Sequence, residues 1–415
     1  MTPSPSRPPA SIYITGLFAM GYTEFYTFLI PLYGLSLGMS AGQIGMLVGG
    51  RSLLAVFLSI HIGVLMDRFG TRRVTLFFVW TAMALAPVFP LVPWFWPLLL
   101  LQIVNGAALN FAWSGSQTLI AQLAEGEAEY IGRFSFFARF GTTLTPMISG
   151  VAWDWGGAWP AYLLGAAWGA VLTIVLLRAP EADIAGADGR APHRQASFRV
   201  RDVVPRLPDY LRCFALMAIP AVATTMAIIF LRTTTDGVQS SLYVVYLKGI
   251  GLTGTSIGIL FAAIEVMSGF GSLFAGRVSR LGDPQRTMLS GTVLSILLIA
   301  ATPLLGGSFA LLLVSQVLRG WLEGVIQPVI LSVQARAVGR HQQGAVVGLR
   351  QTGQRLTSIV IPPLMGGIAD RWGVSESFFI LGALMLVLCL PLTLMTRRAA
   401  RPTPTREEVE PTPAD

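Results

Sequence analysis

Charged residues are scarce in this sequence. Of its 415 residues, only 12% are charged, whereas 53% are hydrophobic. Soluble domains carry about 25% charged residues, so this composition excludes an ordinary soluble protein. Apolar stretches close to the roughly 20 residues needed to cross a bilayer recur along the whole chain. Because the backbone polar groups of such stretches must be satisfied within the lipid, we predict an all-α, multi-pass membrane protein.

Residues that support metal binding and catalysis are also rare. There are two cysteines and three histidines, and no Cys-x-x-Cys or Cys/His metal spacing occurs. We read Cys213 and Cys389 as small apolar side chains. Neither a Walker phosphate-binding loop nor a catalytic-triad spacing is present. We therefore expect a protein that is not an enzyme, uses no metal or cofactor and is not driven by ATP.

The net charge of +8 follows a topological pattern rather than forming a nucleic-acid surface. Basic residues cluster at 68–73, 190–212, 277–286, 336–340 and 397–406, whereas the turns near 35–42, 89–98 and 303–308 carry no charge. Cytoplasmic loops are the ones enriched in Arg and Lys. We expect an even number of crossings with both termini in the cytoplasm. The opening MTPSPSRPPAS has no signal-peptide pattern, so we expect the first apolar segment to be helix 1.

Twelve crossings can be placed on the chain. They are predicted at 12–34, 42–66, 74–96, 98–122, 132–153, 159–178, 214–247, 254–277, 285–304, 308–334, 345–368 and 375–396. Span 7 is long and is interrupted by RTTTDGVQ (232–239), where the helix could break, kink or line a wet cavity. These spans divide the chain into a tail (1–11), a first bundle (12–178), a polar linker (179–213), a second bundle (214–396) and a disordered tail (397–415).

The two halves resemble one another. ARFGTTLTPMISGVAWDWGG (138–157) aligns with QRLTSIVIPPLMGGIADRWG (354–373), pairing Arg139 with Arg355, Pro146 with Pro362, Gly150 with Gly366 and Asp154 with Asp370 at a constant offset of 216. An earlier pair, 30–47 and 244–260, aligns Gly38 with Gly251 and Gly45 with Gly258. Two parallel six-helix repeats are typical of transporters whose halves rock about a central site.

The first cytoplasmic loop carries a dense charged motif, GVLMDRFGTRR (63–73). It resembles the loop 2–3 signature of the major facilitator superfamily, with Gly63, Asp67, Arg68, Gly70, Arg72 and Arg73 in matching positions. A degenerate copy, AGRVSRLGDPQR (275–286), follows the corresponding helix of the second half. The resemblance covers all twelve spans.

The resemblance implies two pseudo-symmetric six-helix bundles and a cytoplasmic gate. In the family, the acid at the position of Asp67 faces the N-terminal end of helix 11, where free N–H groups attract a carboxylate. Alternatively, Arg68, Arg72 and Arg73 only fix the topology. Two patterns of the proton-coupled drug exporters match less well: Gln102 stands where their helix 4 carries Arg, and GTTLTPMISG (141–150) lacks their Gly-Pro pair.

Several ionisable residues lie inside predicted spans, where each costs about 2.5–3.5 kcal/mol by insertion scales. Glu24 in span 1 and Arg51 in span 2 are predicted at similar depth and could form a pair. Arg232 with Asp236, and Arg319 with Glu323, stand four apart and can face each other on one helix turn. Each pair is either structural or part of a substrate or proton path.

Arg139 and Arg355 correspond across the repeat. In this family helix 5 meets helix 8 and helix 11 meets helix 2, so Arg139 is expected near Glu265 and Arg355 near a group of span 2. Two such guanidiniums could clamp an anion, or could simply hold the fold together.

We expect a secondary transporter in the inner membrane that moves a small organic solute, anionic or zwitterionic, by alternating access. The driving force would be an ion gradient, most simply protons. A multidrug or metabolite efflux antiporter is one alternative, and a non-transporting receptor or assembly factor another. Expected partners are the solute and membrane lipid but no nucleic acid, and the protein is expected to be a monomer.

Overall fold

The computed structural model describes residues 9–123, 128–180, 216–278, 280, 283–337 and 343–399. Inside these ranges some side chains, among them those of residues 63, 67 and 68, are not described. All regular structure in the described ranges is helical, and it forms twelve crossings that we label α1 to α12.

The first half contains α1 to α6. They are α1 (Ala10–Ser36), α2 (Ala41–Gly50 and Leu53–Phe69), α3 (Thr71–Leu85, continued by the 3-10 turn Ala86–Leu91), α4 (Phe95–Leu123), α5 (Ala128–Gly156) and α6 (Ala158–Arg178).

The second half repeats this order. It contains α7 (Pro220–Val238, the π-helical turn Gln239–Tyr243 and Val244–Gly249), α8 (Gly254–Val278), α9 (Pro284–Ala300, followed by the short helix Thr302–Leu305), α10 (Phe309–Ala337), α11 (Gln343–Trp372) and α12 (Val374–Ala399). The helices thus form the predicted two six-helix bundles.

Very short turns join the helices on one face of the bundle. We call this face the distal end, and the opposite face, where α1 begins and α12 ends, the terminal end. Four of the distal turns contain a glycine with positive φ: Gly38 (70°), Gly157 (70°), Gly251 (90°) and Gly373 (101°). Since side chains with a Cβ rarely adopt this conformation, glycine permits reversal of the chain within one to four residues.

Seven of the described helices are long and apolar enough to cross a membrane by composition alone, namely α2, α3, α4, α6, α8, α10 and α12. Of the others, α9 has only 17 residues. Large apolar side chains such as Phe57, Trp96 and Leu273 cover the outer surface. The protein is therefore a multi-pass membrane protein.

Two matching interfaces join the halves near the distal end. A Cβ on Gly45 of α2 would lie 2.2 Å from the carbonyl oxygen of Pro362 in α11. In the corresponding place, a Cβ on Gly258 of α8 would lie 2.4 Å from the carbonyl oxygen of Pro146 in α5. These glycines let backbones touch, as small residues do in membrane helix packing. The α2–α11 and α5–α8 contacts are thus two copies of one interface.

Two helices differ from their sequence predictions. α2 was predicted as continuous but is interrupted at Arg51–Ser52, where Gly106 of α4 packs so closely that a Cβ there would lie 2.4 Å from the Arg51 Cα. α7 does not break within 232–239; its helix continues to Val238 and then widens into a π-helical turn. The hydroxyl of Thr235 donates to the Arg232 carbonyl at 2.6 Å, so the polar run stays compatible with a helix.

Candidate functional site

The ionisable residues singled out from the sequence all lie near the middle of their helices. They are Glu24, Arg51, Arg139, Arg232, Asp236, Glu265, Arg319, Glu323 and Arg355. At about 1.5 Å per residue, each is roughly 15–20 Å from a helix end. The sequence therefore folds into a layer of charge halfway across the membrane.

Glu24 of α1 and Arg51 of α2 form the part of this layer that belongs to the first half. The two side chains interact electrostatically, and Glu24 also lies within electrostatic range of Glu265 and Asp236 in the other half. The Arg51 guanidinium donates a hydrogen bond to the Thr27 hydroxyl, one turn along α1 from Glu24. Arg51 thus ties α2 to the acidic turn of α1.

Arg139 of α5 reaches across to α8 in the second half. Its Nη1 lies 3.7 Å from Oε2 of Glu265 and donates to Oγ of Ser268 at 3.2 Å. The Thr142 hydroxyl donates to the same Glu265 oxygen at 3.1 Å. Because the Arg139 side chain remains 42% exposed, this ion pair is accessible rather than sealed within the core.

Asp236 of α7, like Glu265 of α8, interacts electrostatically with each of the other acids of the layer. It lies 4.0 Å from Nη2 of Arg232, one turn earlier. Glu24, Glu265 and Glu323 each interact with it electrostatically. Its side chain is 43% exposed, so an acid shared by four helices is open to small ions or solutes.

Arg319 of α10 is enclosed in a hydrogen-bond network with α7. Its Nη2 donates to Oε1 of Glu323 at 3.3 Å, and its Nη1 donates to Oε1 of Gln239 and, at 3.2 Å, to Oε1 of Gln316. Gln239 is the first residue of the π-helical turn, a local geometry that is frequent at functional sites. With only 1% of its side chain exposed, Arg319 anchors the layer on this side.

The layer contains four acids, Glu24, Asp236, Glu265 and Glu323, and five arginines, of which Arg51, Arg139, Arg232 and Arg319 each interact with one of these acids. Arg355, the partner of Arg139 in the repeat, instead donates from Nη1 to the Ala55 carbonyl of α2 at 2.8 Å. In the part of the chain that the structure describes, no group of three or more His, Cys, Asp or Glu could hold a metal ion. The layer can exchange protons or ion-pair partners.

A second pair of polar residues was not recognised as a pair by the sequence interpretation, which named Gln102 only as a departure from the exporter pattern and did not name Asn105. Gln102 and Asn105 of α4 are buried, at the positions of the first half that match Gln316 and Arg319 of α10. The alignment of LQIVNG (101–106) with SQVLRG (315–320) carries this signal at an offset of 214. Gly106 and Gly320 support this alignment, because each packs against the backbone of a neighbouring helix in its own half.

A cavity of about 450 Å³ lies between α5 and α8, beside the Arg139–Glu265 pair. Its apolar walls include Phe136, Phe140 and Phe270. This size falls within the 300–1,000 Å³ of typical small-molecule sites, which also combine apolar walls with a few polar groups.

The loop motif at the terminal end is only partly described. Gly70 has φ 92° and forms the turn into α3, and Nη1 of Arg72 donates to the Ala179 carbonyl at 2.8 Å. Arg73 follows in α3. The side chains of Asp67 and Arg68, and the surroundings of Gly63, lie outside the described residues, so the gate contact remains a prediction.

Curated proteins match parts of this chain. A multidrug resistance protein, MdtG, of Enterobacter lignolyticus is 30% identical over 157 residues, which is 36% of this chain and 36% of that protein. A glycerol-3-phosphate transporter of Bacillus subtilis is 22% identical over 156 residues, 37% of this chain and 35% of that protein. These alignments therefore span about a third of either relative.

Solved structures match almost the whole chain. The nucleoside transporter NupG superposes with a TM-score of 0.70 and 14% identity, covering 93% of this chain and 99% of that one. A bacterial homologue of the human lysosomal transporter Spinster, inward-facing and occupied, gives 0.71 and 13%, covering 95% and 98%. At such identities the likeness establishes the fold alone.

The sequence pattern of one family matches both halves, over residues 12–233 and 225–414. Together with the duplicated helical bundles and their shared interface, this match shows that the chain belongs to the Major Facilitator Superfamily.

Proposed function

We propose that this protein is a secondary active transporter that moves a small organic solute across the inner membrane by alternating access, coupled to protons. No cofactor enters the proposal, since the energy comes from the ion gradient. Transporters with duplicated bundles bind substrate and coupling ions near the membrane midplane between the repeats. The family match and the transporter relatives support this assignment.

The observation that carries the proposal is the charge layer at mid-depth. Intramembrane carboxylates are costly, and in pumps and transporters they mark proton and substrate paths. Glu24 and Asp236 come from the first helix of each half and interact across the centre. We assign the proton relay to these two acids, and to the exposed Arg139 the recognition of an anionic or zwitterionic solute.

The test is proton flux through Glu24→Gln in proteoliposomes under an imposed pH gradient. Flux should fall to that of protein-free vesicles, because an amide keeps the shape of the side chain but cannot release a proton. Glu376→Gln, the same change at an exposed distal position of α12, is the matched control and should transport normally. Unchanged flux in Glu24→Gln would remove this acid from the relay.

The orientation belongs to the same proposal. We place the terminal end, with both chain termini and the basic loops, in the cytoplasm. The distal interfaces then close the outer side, and the described conformation faces inward.

The domain limits proposed are two bundles at 12–178 and 214–396, with a linker at 179–213.

The gate motif 63–73 is proposed to close the cytoplasmic side in the opposite state, through Asp67 and the N-terminal end of α11. Asp67→Asn should then slow turnover more than it weakens solute binding, because the contact forms only in one state. Flux and binding measured on the same preparation check this. Equal losses in the two measurements would argue against gating.

Efflux of amphiphilic drugs is the second candidate function. The aromatic walls of the α5–α8 cavity favour it, and so does the resemblance to MdtG. Competition separates the two: in a fluorescent-dye efflux assay, inhibition by lipophilic cations but not by organic anions would support drug export. A non-transporting receptor would show neither proton-coupled solute flux nor dye efflux.

We propose a monomer, which light scattering in detergent would test.

A further inference from the structure

Two aspartates at the distal end connect the halves in matching ways. Asp154, in the last turn of α5, accepts hydrogen bonds from the backbone N–H groups of Gly254 and Thr255, each at 2.7 Å, and from the Thr255 hydroxyl at 2.7 Å. Asp370, near the end of α11, accepts from the Gly42 N–H at 3.0 Å. A bond of 2.8 Å from the Ser40 hydroxyl completes the second contact.

The donors are the first residues of α8 and α2. The N–H groups in the first turn of a helix have no partner within the helix, and its partial positive charge attracts a carboxylate. Each aspartate belongs to one half and caps a helix of the other. Asp154 and Asp370 are equivalent in the repeat, and so are the helix starts that they cap.

Neither helix needs its distant aspartate to begin. Ser40 and Gln43 form a complete capping box at the start of α2. At the start of α8, the Thr253 hydroxyl accepts from the Ser256 N–H at 3.1 Å. The aspartates are therefore second caps, supplied from the facing half. A contact added to already capped helices contributes mainly to holding the halves together at this end.

The position of these contacts fits a bond that is made and broken. Asp154 and Asp370 are both exposed at the end of the bundle, where water can replace the lost donors. Further toward mid-depth, the same interfaces are formed by Gly45 and Gly258 against the backbone of proline. That inner packing is neutral, so the charged contacts at the rim are the ones sensitive to a charge-removing substitution.

We infer that Asp154 and Asp370 are a symmetric pair of latches that hold the distal end closed, and that both must release for the protein to change state. This inference rests on the proposed alternating-access function. The two residues are therefore positioning residues for the transport cycle, because they hold the two bundles in one relative position and do not contact the solute.

The test measures the distance between the halves directly. Spin labels at Trp96→Cys in the first half and Leu304→Cys in the second, both exposed at distal helix ends, report opening after replacement of Cys213 and Cys389. Double electron–electron resonance in lipid nanodiscs gives the distribution of distances between the two labels, and from it the ratio of open to closed molecules. Asp154→Asn and Asp370→Asn should each raise this ratio about tenfold, as expected for loss of a charge-assisted contact. The double variant should raise it by about the product.

Asp283→Asn is the matched control. Asp283 caps its own helix, α9, with a 3.1 Å bond from the Gln285 N–H at the terminal end, so the ratio should not change. If the unmodified labelled protein opens with pH or solute but both latch variants keep its ratio, the latch inference is wrong. If even the unmodified protein never opens at the distal end, the proposed alternating access fails instead.

A second measurement covers variants that fold poorly. After replacement of Cys213 and Cys389, cysteines at 154 and 255 joined by a short bis-methanethiosulfonate, which forms a disulfide with each thiol and releases methanesulfinate, should abolish flux, and a reductant should restore it. Full flux through the cross-linked protein would overturn the requirement for release.

Discussion

Burial separates the arginines of the charge layer into two kinds. Arg319 is almost completely enclosed and donates to three side chains, whereas Arg139 keeps 42% of its side chain exposed and meets Glu265 at 3.7 Å. Removing one partner of a buried pair leaves an uncompensated charge, but an exposed pair exchanges its partner for water. Arg319 therefore has mainly a structural role, and Arg139 is available for recognition.

Arg319→Ala should accordingly lower the free energy of unfolding by about 3 to 5 kcal/mol, because Glu323 and Gln239 lose their buried donor. Arg139→Ala should lower it less, because the Arg139 side chain is 42% exposed and Thr142 still donates to Glu265, but it should impair transport. Thermal unfolding in detergent and flux measured on both variants check this. Equal destabilisation by the two changes would contradict the division of roles.

At the residue scale, the sequence identifies the charges but not all of their surroundings. A charge in an apolar run is conspicuous, and two pairs follow from four-residue spacing. Gln102 and Asn105 are uncharged and give no comparable signal, although they occupy the same positions as Gln316 and Arg319. Their burial becomes evident only once the helices are packed together.

At the element scale, single glycines control how closely helices approach. In α11 two adjacent glycines differ completely: a Cβ on Gly366 would lie 2.4 Å from the Ala41 carbonyl oxygen, whereas one on Gly367 would meet nothing within 4 Å. The neighbouring pair thus provides its own control for the importance of the distal interface.

Gly366→Ala should force α2 and α11 apart and lower the unfolding temperature, because the contacted atom is rigid backbone. Gly367→Ala should leave it unchanged or raise it slightly, since alanine favours a helix over glycine by about 1 kcal/mol. Unfolding curves of the two variants in the same detergent provide the comparison. A similar decrease in both variants would contradict the assignment of the effect to the close packing at Gly366.

The irregular elements are those that the sequence could not define. The Arg51–Ser52 interruption lies where Gly106 of α4 packs against α2. Gln239, the first residue of the π-helical turn at 239–243, accepts hydrogen bonds from Gln316 and Arg319 of α10. Both depend on a neighbouring helix. The polarity of RTTTDGVQ left a break, a kink or the lining of a wet cavity open, and hydroxyl groups that bond to their own helix allow the run to remain helical.

At the scale of the whole molecule, the orientation is the most direct quantity to test. Single cysteines at Ser6 and Thr405, introduced after removal of Cys213 and Cys389, should react with a membrane-impermeant thiol reagent only in inside-out vesicles. A cysteine at Ser308, in a distal turn, should react only in right-side-out vesicles. Reaction of Ser6 and Thr405 variants from opposite sides would contradict an even number of crossings.

The repeat made the global architecture predictable, because twelve apolar spans and a constant offset between halves specify two sister bundles. It also placed Asp154 over Asp370, but alignment alone does not reveal what either residue touches. That knowledge requires the relative position of the halves, which depends on contacts more than 300 residues apart, such as Gly42 with Asp370.

The turns of one to four residues at the distal end leave almost no protein outside the helix tips there. A nanobody selected against that face would have only these tips to grip, and its footprint would span both bundles. It would bind one relative position of the two bundles and hold them in that position. We expect such binders to act as inhibitors far more often than those raised against the opposite face.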